Sequence, residues 1–162
     1  MFKIKLSILL LINFFLISCS NQQANNYQQK YSIAYIGGEF DGLVLKNYLM
    51  NNLKNLQIYD QNSNFEIKAS INHNSNIYIT NIDNTSDREE IKTNLSVQII
   101  DVGLNCNIYA DELNVSQFYI YASGDKFLSN KTAQKKIKKD NTEALVRDFI
   151  NVIKNIHHKC DE

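Results

Sequence analysis

Three stretches of this 162-residue chain alternate apolar and polar side chains with a period of two. Phe65, Ile67, Ala69 and Ile71 alternate with Glu66, Lys68 and Ser70. Ile91, Thr93, Leu95, Val97 and Ile99 alternate with Lys92, Asn94, Ser96 and Gln98. Cys106, Ile108 and Ala110 begin another run, which resumes at Leu113 and Val115 and continues to Phe118-Tyr119-Ile120-Tyr121. Successive strand residues point to opposite sides of a sheet, so each run has one face to bury and one to leave wet. Polar links at 83–87 and 101–105 supply turn residues, and the three runs read as an antiparallel meander. The polar run Asn72-His73-Asn74-Ser75-Asn76 reads as an interruption of the first strand, with His73 in a turn. Ile77, Ile79 and Ile82 continue the pattern beyond it.

A sheet with one apolar face needs a second layer, and two segments have helical periodicity. Leu45, Tyr48, Leu49, Leu53 and Leu56 recur at spacings of three and four, with Asp41 placed to cap the helix start. Ile137, Leu145, Phe149, Val152, Ile153 and Ile156 give a second stripe. Asp140-Asn141-Thr142-Glu143 has the form of a capping box, so that helix starts there or earlier, near Thr132. A further strand, Tyr31 to Ile36, stops at Gly37-Gly38. The fold class that follows is α+β. Two helices pack on one face of a four-stranded, mainly antiparallel sheet, in the order β-α-β-β-β-α, as a two-layer sandwich.

The N-terminus reads differently. Lys3 and Lys5 precede an apolar run from Leu6 to Ile17, broken only by Ser7 and Asn13. Such a run is an export signal, too short for the roughly 20 residues that cross a membrane. Leu16-Ile17-Ser18-Cys19 resembles the lipobox of bacterial lipoproteins. That resemblance implies cleavage after residue 18, lipidation at Cys19 and a protein anchored to a membrane. Ser20, where enterobacterial inner-membrane lipoproteins carry aspartate, implies the outer membrane. The glutamine- and asparagine-rich segment that follows reads as a flexible tether, so 19–30 is a lipidated linker and 31–162 the folded domain.

The full chain carries 17 basic and 17 acidic side chains; removing Lys3 and Lys5 leaves 15 against 17, a net charge of −2. This balance does not suit a nucleic-acid partner. Cys106 and Cys160 remain after Cys19; in an oxidising compartment they are either a bridge or two thiols.

Catalytic motifs are sparse in the sequence. No glycine-rich phosphate loop and no Gly-x-Ser-x-Gly elbow occur. Glu89-Glu90 and Asp111-Glu112 are adjacent strand residues, so each pair splits between the two faces instead of converging. His157, His158 and Cys160 have ligand chemistry, but polar residues also suit a helix C-terminus. The expectation is a protein that is not an enzyme and takes no metal or cofactor. One charge feature stands out: Lys126, Lys131, Lys135, Lys136, Lys138 and Lys139 occur with no acid between the first and last. Such a cluster is a solvated helix face or attracts phosphorylated sugars and anionic lipid head groups.

Taken together, the lipobox cysteine, the first strand ending at glycine and the Gly42-Leu43…Leu49 helix resemble the LptE family of lipopolysaccharide-assembly lipoproteins. So do the strand opening Asp87-Arg88-Glu89-Glu90 and the terminal helix with Lys139-Asp140-Asn141. The resemblance implies an outer-membrane plug of an LptD-type β-barrel, facing the periplasm or inside the barrel lumen, that helps the barrel assemble. It also implies lipopolysaccharide binding, through Arg88 or Lys92 and through Lys131, Lys136 or Lys139. A second reading of the same tethered domain is a periplasmic auxiliary of an ABC-type lipid or solute transport system. A third is a surface lipoprotein with no transport role.

Overall fold

Four strands form one sheet in the order β1-β2-β3-β4, with two helices across one face. The computed structural model describes residues 29–79, 87–121, 127–156 and Cys160. The export signal, Cys19 and most of the tether lie outside the described residues, as do Lys126, His157 and His158. The elements are β1 (Tyr31–Gly37), α1 (Glu39–Asn55), β2 (Phe65–Ile79), β3 (Asp87–Asp101), β4 (Cys106–Tyr121) and α2 (Phe127–Asn155).

The meander is as the alternation predicts. β2 pairs antiparallel with β3 from Phe65↔Asp101 to Ile79↔Asp87, and β3 with β4 from Asp101↔Cys106 to Asp87↔Tyr121. β1 runs parallel to β2 and reaches only as far as Gly37↔Ser70. One end of the sheet, the base, therefore holds Tyr31, Phe65, Asp101 and Cys106; the other, the tip, holds the ends of β2 and β4 and the start of β3.

Two strands are more continuous than the hydropathy pattern suggests. The Asn72–Asn76 run stays in β2, because β3 supplies a complete ladder partner for it. His73 is thus a strand residue on the helix-facing side, not a turn residue. In β4 the apolar positions switch from even to odd after Ala110. The register slips between Ile99↔Tyr109 and Ile100↔Asn107, leaving Ile108 as the extra residue of a bulge. Ile108 and Leu113 both point toward the helices, and Ala110 is exposed. A bulge re-aims the strand by one residue, which accounts for the change of parity.

The first helix begins two residues before Asp41, so that side chain does not cap it. Gly38 stands at the N-cap with φ of 110°, in the left-handed region, and no side chain caps the helix. A Cβ on Gly38 would meet the Ile71 carbonyl oxygen at 2.6 Å, and one on Gly42 would meet the Gly37 carbonyl oxygen at 2.7 Å. The two glycines let the chain leave β1 and turn back toward the base in the space of one residue. Leu45, Leu49 and Leu53 then bury completely, with Tyr48 and Leu56 half-buried, as the spacing predicts.

The second helix is longer than its apolar stripe. It runs from Phe127 at the tip to Asn155 at the base, and Asp140-Asn141-Thr142-Glu143 lies inside it. The capping groups are used elsewhere: Thr142 Oγ1 donates to the Lys138 carbonyl at 2.8 Å, and Asn141 turns into the sheet. Leu145, Val146, Phe149, Ile150 and Ile153 join the core with Leu45, Leu49, Leu53, Ile67, Leu95, Val97 and Ile99. Below the helix end Cys106 and Cys160 are bonded, with their Cα atoms 5.7 Å apart. Closing a loop across 54 positions of sequence stabilises the fold by about 4 kcal/mol on the loop-entropy argument.

The turn at Gly38 is the tightest point of the fold. Gly38→Ala is expected to cost about 1–3 kcal/mol, from the strained backbone and the clash with Ile71. Urea unfolding of the two proteins checks it; equal midpoints would contradict the role given to this glycine.

Candidate functional site

A chain of polar groups crosses the apolar core between the helices and the sheet. His73 on β2 has its side chain 2% exposed, with Nε2 3.7 Å from Asp41 Oδ2 in the first turn of α1. Its Nδ1 lies 2.7 Å from Thr93 Oγ1 on β3. Asn141 of α2 donates to the same hydroxyl oxygen at 3.0 Å and to the Ile91 carbonyl at 3.2 Å. Because Asn141 already donates to Thr93 Oγ1, the hydroxyl hydrogen is free to go to His73 Nδ1, which leaves the imidazole proton on Nε2, facing Asp41. Burial pushes the imidazole below its ordinary pKa; Asp41 pulls it up and Lys138 pushes it down, both more weakly. Thr93 is fully buried, and the Asp41–His73–Thr93–Asn141 series ties the two layers together.

A second buried tie lies nearer the tip. Glu89 on β3 is 2% exposed. It accepts from the Tyr119 hydroxyl of β4, and from Gln134 Nε2 of α2 at 2.8 Å. Its neighbour Glu90 points to the opposite face, where Tyr78 donates to it at 2.8 Å. The two carboxylates of this pair are separated by the sheet, as their adjacency on a strand requires.

The basic residues singled out by sequence fall on two separate layers. Arg88 and Lys92 are exposed on the open face of β3, the face turned away from the helices. Arg88 stands between Tyr78 and Ile120 in register, and Lys92 between Asn74 and Ser116. Lys131, Lys136 and Lys139 are exposed on α2. Lys131 Nζ lies 4.9 Å from the centre of the Phe127 ring, a cation–π contact. Lys139 borders a groove between α1 and α2, whereas Lys136 does not. The groove holds about 340 Å3, with Phe40, Val44 and Tyr48 on its α1 side and Lys135, Lys138 and Lys139 on its α2 side. Lys135 and Lys138 line the groove as well; they belong to the lysine cluster noted in the sequence but not to the residues assigned to lipopolysaccharide. Their spacing of three carries the signal, and it is legible only if the helix begins before Lys135 and not at Asp140.

The tip of the sheet is apolar and open. The reversal at Gly38 sends α1 back toward the base, so β2 beyond His73 runs clear of it. Ile77, Tyr78, Phe118 and Ile120 are exposed there, Ile120 to 75%, with Phe127 and Leu128 exposed at the start of α2. The Tyr78 and Phe118 rings sit 6.0 Å apart across β3.

Comparison with known proteins places the fold. No protein-family model matches the sequence, and no curated protein matches it. Solved structures do match. Rare lipoprotein B from Shewanella oneidensis superposes with a TM-score of 0.65 at 7% identity, over 78% of this chain and 95% of that one. The minor lipoprotein from Acinetobacter baumannii gives 0.59 at 14% identity, over 78% and 91%. Lipoprotein B from Nitrosomonas europaea gives 0.58 at 11% identity, over 78% and 82%. At such identities the likeness is one of fold: this chain has an α+β fold found among bacterial lipoproteins.

His73 gives the fold a pH dependence with a defined sign. Its pKa is lower folded than unfolded, so the unfolded chain binds more protons as pH falls below about 6.5. The contribution of the neutral imidazole is complete above that value and is lost as pH falls toward the folded pKa. The drop in unfolding free energy between pH 7.5 and pH 5 is therefore expected to be smaller in His73→Gln than in the parent protein. Urea titrations at both pH values measure it, and an unchanged drop would rule out the assignment.

Proposed function

We propose that this protein is a lipid-anchored outer-membrane lipoprotein of the LptE kind. In this reading it seats in an LptD-type β-barrel, assists the barrel's assembly and helps deliver lipopolysaccharide to the cell surface. The observation that carries the reading is the apolar tip. It lies at the end of the sheet opposite residue 29, where the tether joins, at the far end of strands about 50 Å long. An anchor at the base holds that end at the membrane surface. The tip then projects away from it, and exposed groups such as Ile120 and Phe118 call for a partner.

Other features support the reading. The lipobox at Cys19 and the polar tether give the anchor, and the fold is one that lipoproteins use. Arg88 stands beside the tip, where its guanidinium could pair with a phosphate in fork geometry. Lys131 and Lys136 stand on the helix layer, as does Lys139. Because the sheet lies between Arg88 and these lysines, one lipopolysaccharide head group would engage one set or the other, not both.

The test is recovery of partners by the full-length lipidated protein from detergent-solubilised outer membranes, followed by mass spectrometry. A stoichiometric LptD-type barrel is expected. Phe118→Asp with Ile120→Asp, both on the exposed face, is expected to reduce its recovery at least tenfold without loss of the folded domain. Recovery of a permease complex, or barrel recovery that ignores the tip substitutions, would overturn the proposal.

A further inference from the structure

The groove between the helices has a composition that the barrel reading does not use. Its floor is apolar where α1 presents Phe40, Val44 and Tyr48, and Phe40 is left largely open to solvent. Its α2 side carries Lys135, Lys138 and Lys139, at relative positions i, i+3 and i+4 of one helix. Cations at those spacings are neighbours on the helix surface and repel one another. None of the three makes an ion pair among the described residues. The one carboxylate in the lining, Asp41, faces His73 Nε2 at 3.7 Å. Three ammonium groups are therefore concentrated at the edge of an apolar slot without an anion of their own.

We propose that the groove between α1 and α2 binds a single-chain anionic amphiphile, its carboxylate or phosphate head on Lys135, Lys138 and Lys139 and its chain along Phe40, Val44 and Tyr48. The charge pattern selects the head: clustered ammonium groups bind a carboxylate or phosphate through short, charge-assisted hydrogen bonds. The apolar part of the wall selects the chain, since methylenes leave water for such a slot favourably. The size sets the chain number. About 340 Å3 is at the small end of ligand pockets, enough for one chain and not for several side by side. A many-chained glycolipid does not fit within the groove, so this site differs from the head-group contacts proposed for Arg88, Lys131 and Lys136, and Lys139 is the one residue the two share.

The geometry also supplies a reporter. Lys138 borders the groove and also lies close enough to His73 to depress its titration. An anion seated on Lys138 offsets that effect, so occupancy of the groove moves the His73 titration upward.

The experiment uses the isotope-labelled full chain in phosphatidylcholine nanodiscs, followed by NMR at the Val44 and Thr142 methyl groups and the His73 ring. Dodecyl phosphate and dodecanoate are the probes, with inorganic phosphate and dodecyl maltoside as controls for head alone and chain alone. Saturable shifts at Val44 and Thr142 are expected with both anionic amphiphiles, together with a raised His73 titration. Lys135→Gln with Lys139→Gln changes two exposed side chains and is expected to weaken both probes about tenfold or more; the core methyl groups of Leu49 and Leu95 report that the fold is intact. Val44→Trp, which fills the slot, is expected to abolish the shifts. Equal binding of dodecyl maltoside, equal shifts with inorganic phosphate, or indifference to the lysine substitutions would each overturn the proposal. No barrel is present in the measurement, so its outcome is independent of the barrel reading.

Discussion

Burial of one face of a long three-stranded meander is the constraint on which this fold rests. The odd-numbered positions of β2 and β3 are apolar through Ile67, Ile71, Leu95, Val97 and Ile99, and water must be kept from them. Two helices do this, and both run toward the base, but they start at different heights on the sheet. α1 is launched from the short β1 and covers only the half of the sheet near the base. α2 spans the whole length, yet its first half offers mostly polar side chains. The cover is therefore complete at the base and thin at the tip. The core gathers where both helices are present; at the tip Ile77 is exposed on the thinly covered side, and Tyr78, Phe118 and Ile120 stand on the open face.

The thinly covered half is held by polar ties. Glu89 binds Tyr119 and Gln134, and Asn141 binds Thr93 and the Ile91 carbonyl. Each tie joins α2 to the sheet at a point where an apolar contact would leave the choice of register weaker. Buried hydrogen bonds to a charged group are strong when every partner is present and costly when one is lost. The upper half of the sandwich is in this sense specified by directional contacts, and the lower half by packing.

Much of this was legible in the residues. Strict alternation identified β3 from Ile91 to Ile99, and the three-four spacing of Leu45, Leu49 and Leu53 identified the buried face of α1. The order of elements and the two-layer arrangement follow from the same patterns. The readings that failed have particular causes. The Asn72–Asn76 run looked like a break because its residues have low strand preference, and ladder pairing with β3 overrides that preference. Asp140-Asn141-Thr142-Glu143 looked like a helix start because capping residues are defined by local hydrogen bonding; here Asn141 bonds to the sheet, 50 positions away in sequence. The lysines beside the groove were visible as a cluster. Which of them share a wall depends on where α2 begins and on how α1 approaches it, and neither is encoded locally.

The bond between Cys106 and Cys160 gives α2 a fixed foot at the base of β4. At that end Leu145, Phe149 and Ile153 are also locked into the core, while at the other Phe127 and Leu128 stand in solvent. Local opening of a helix begins where few buried contacts oppose it. Opening of this helix is therefore favoured from the tip downward, against the direction in which the disulfide and the core hold it. Lys135 to Lys139 sit at the boundary between the loose and the fixed halves. A contact made there acts on how far the fraying travels, while the lower turns keep their place on the sheet.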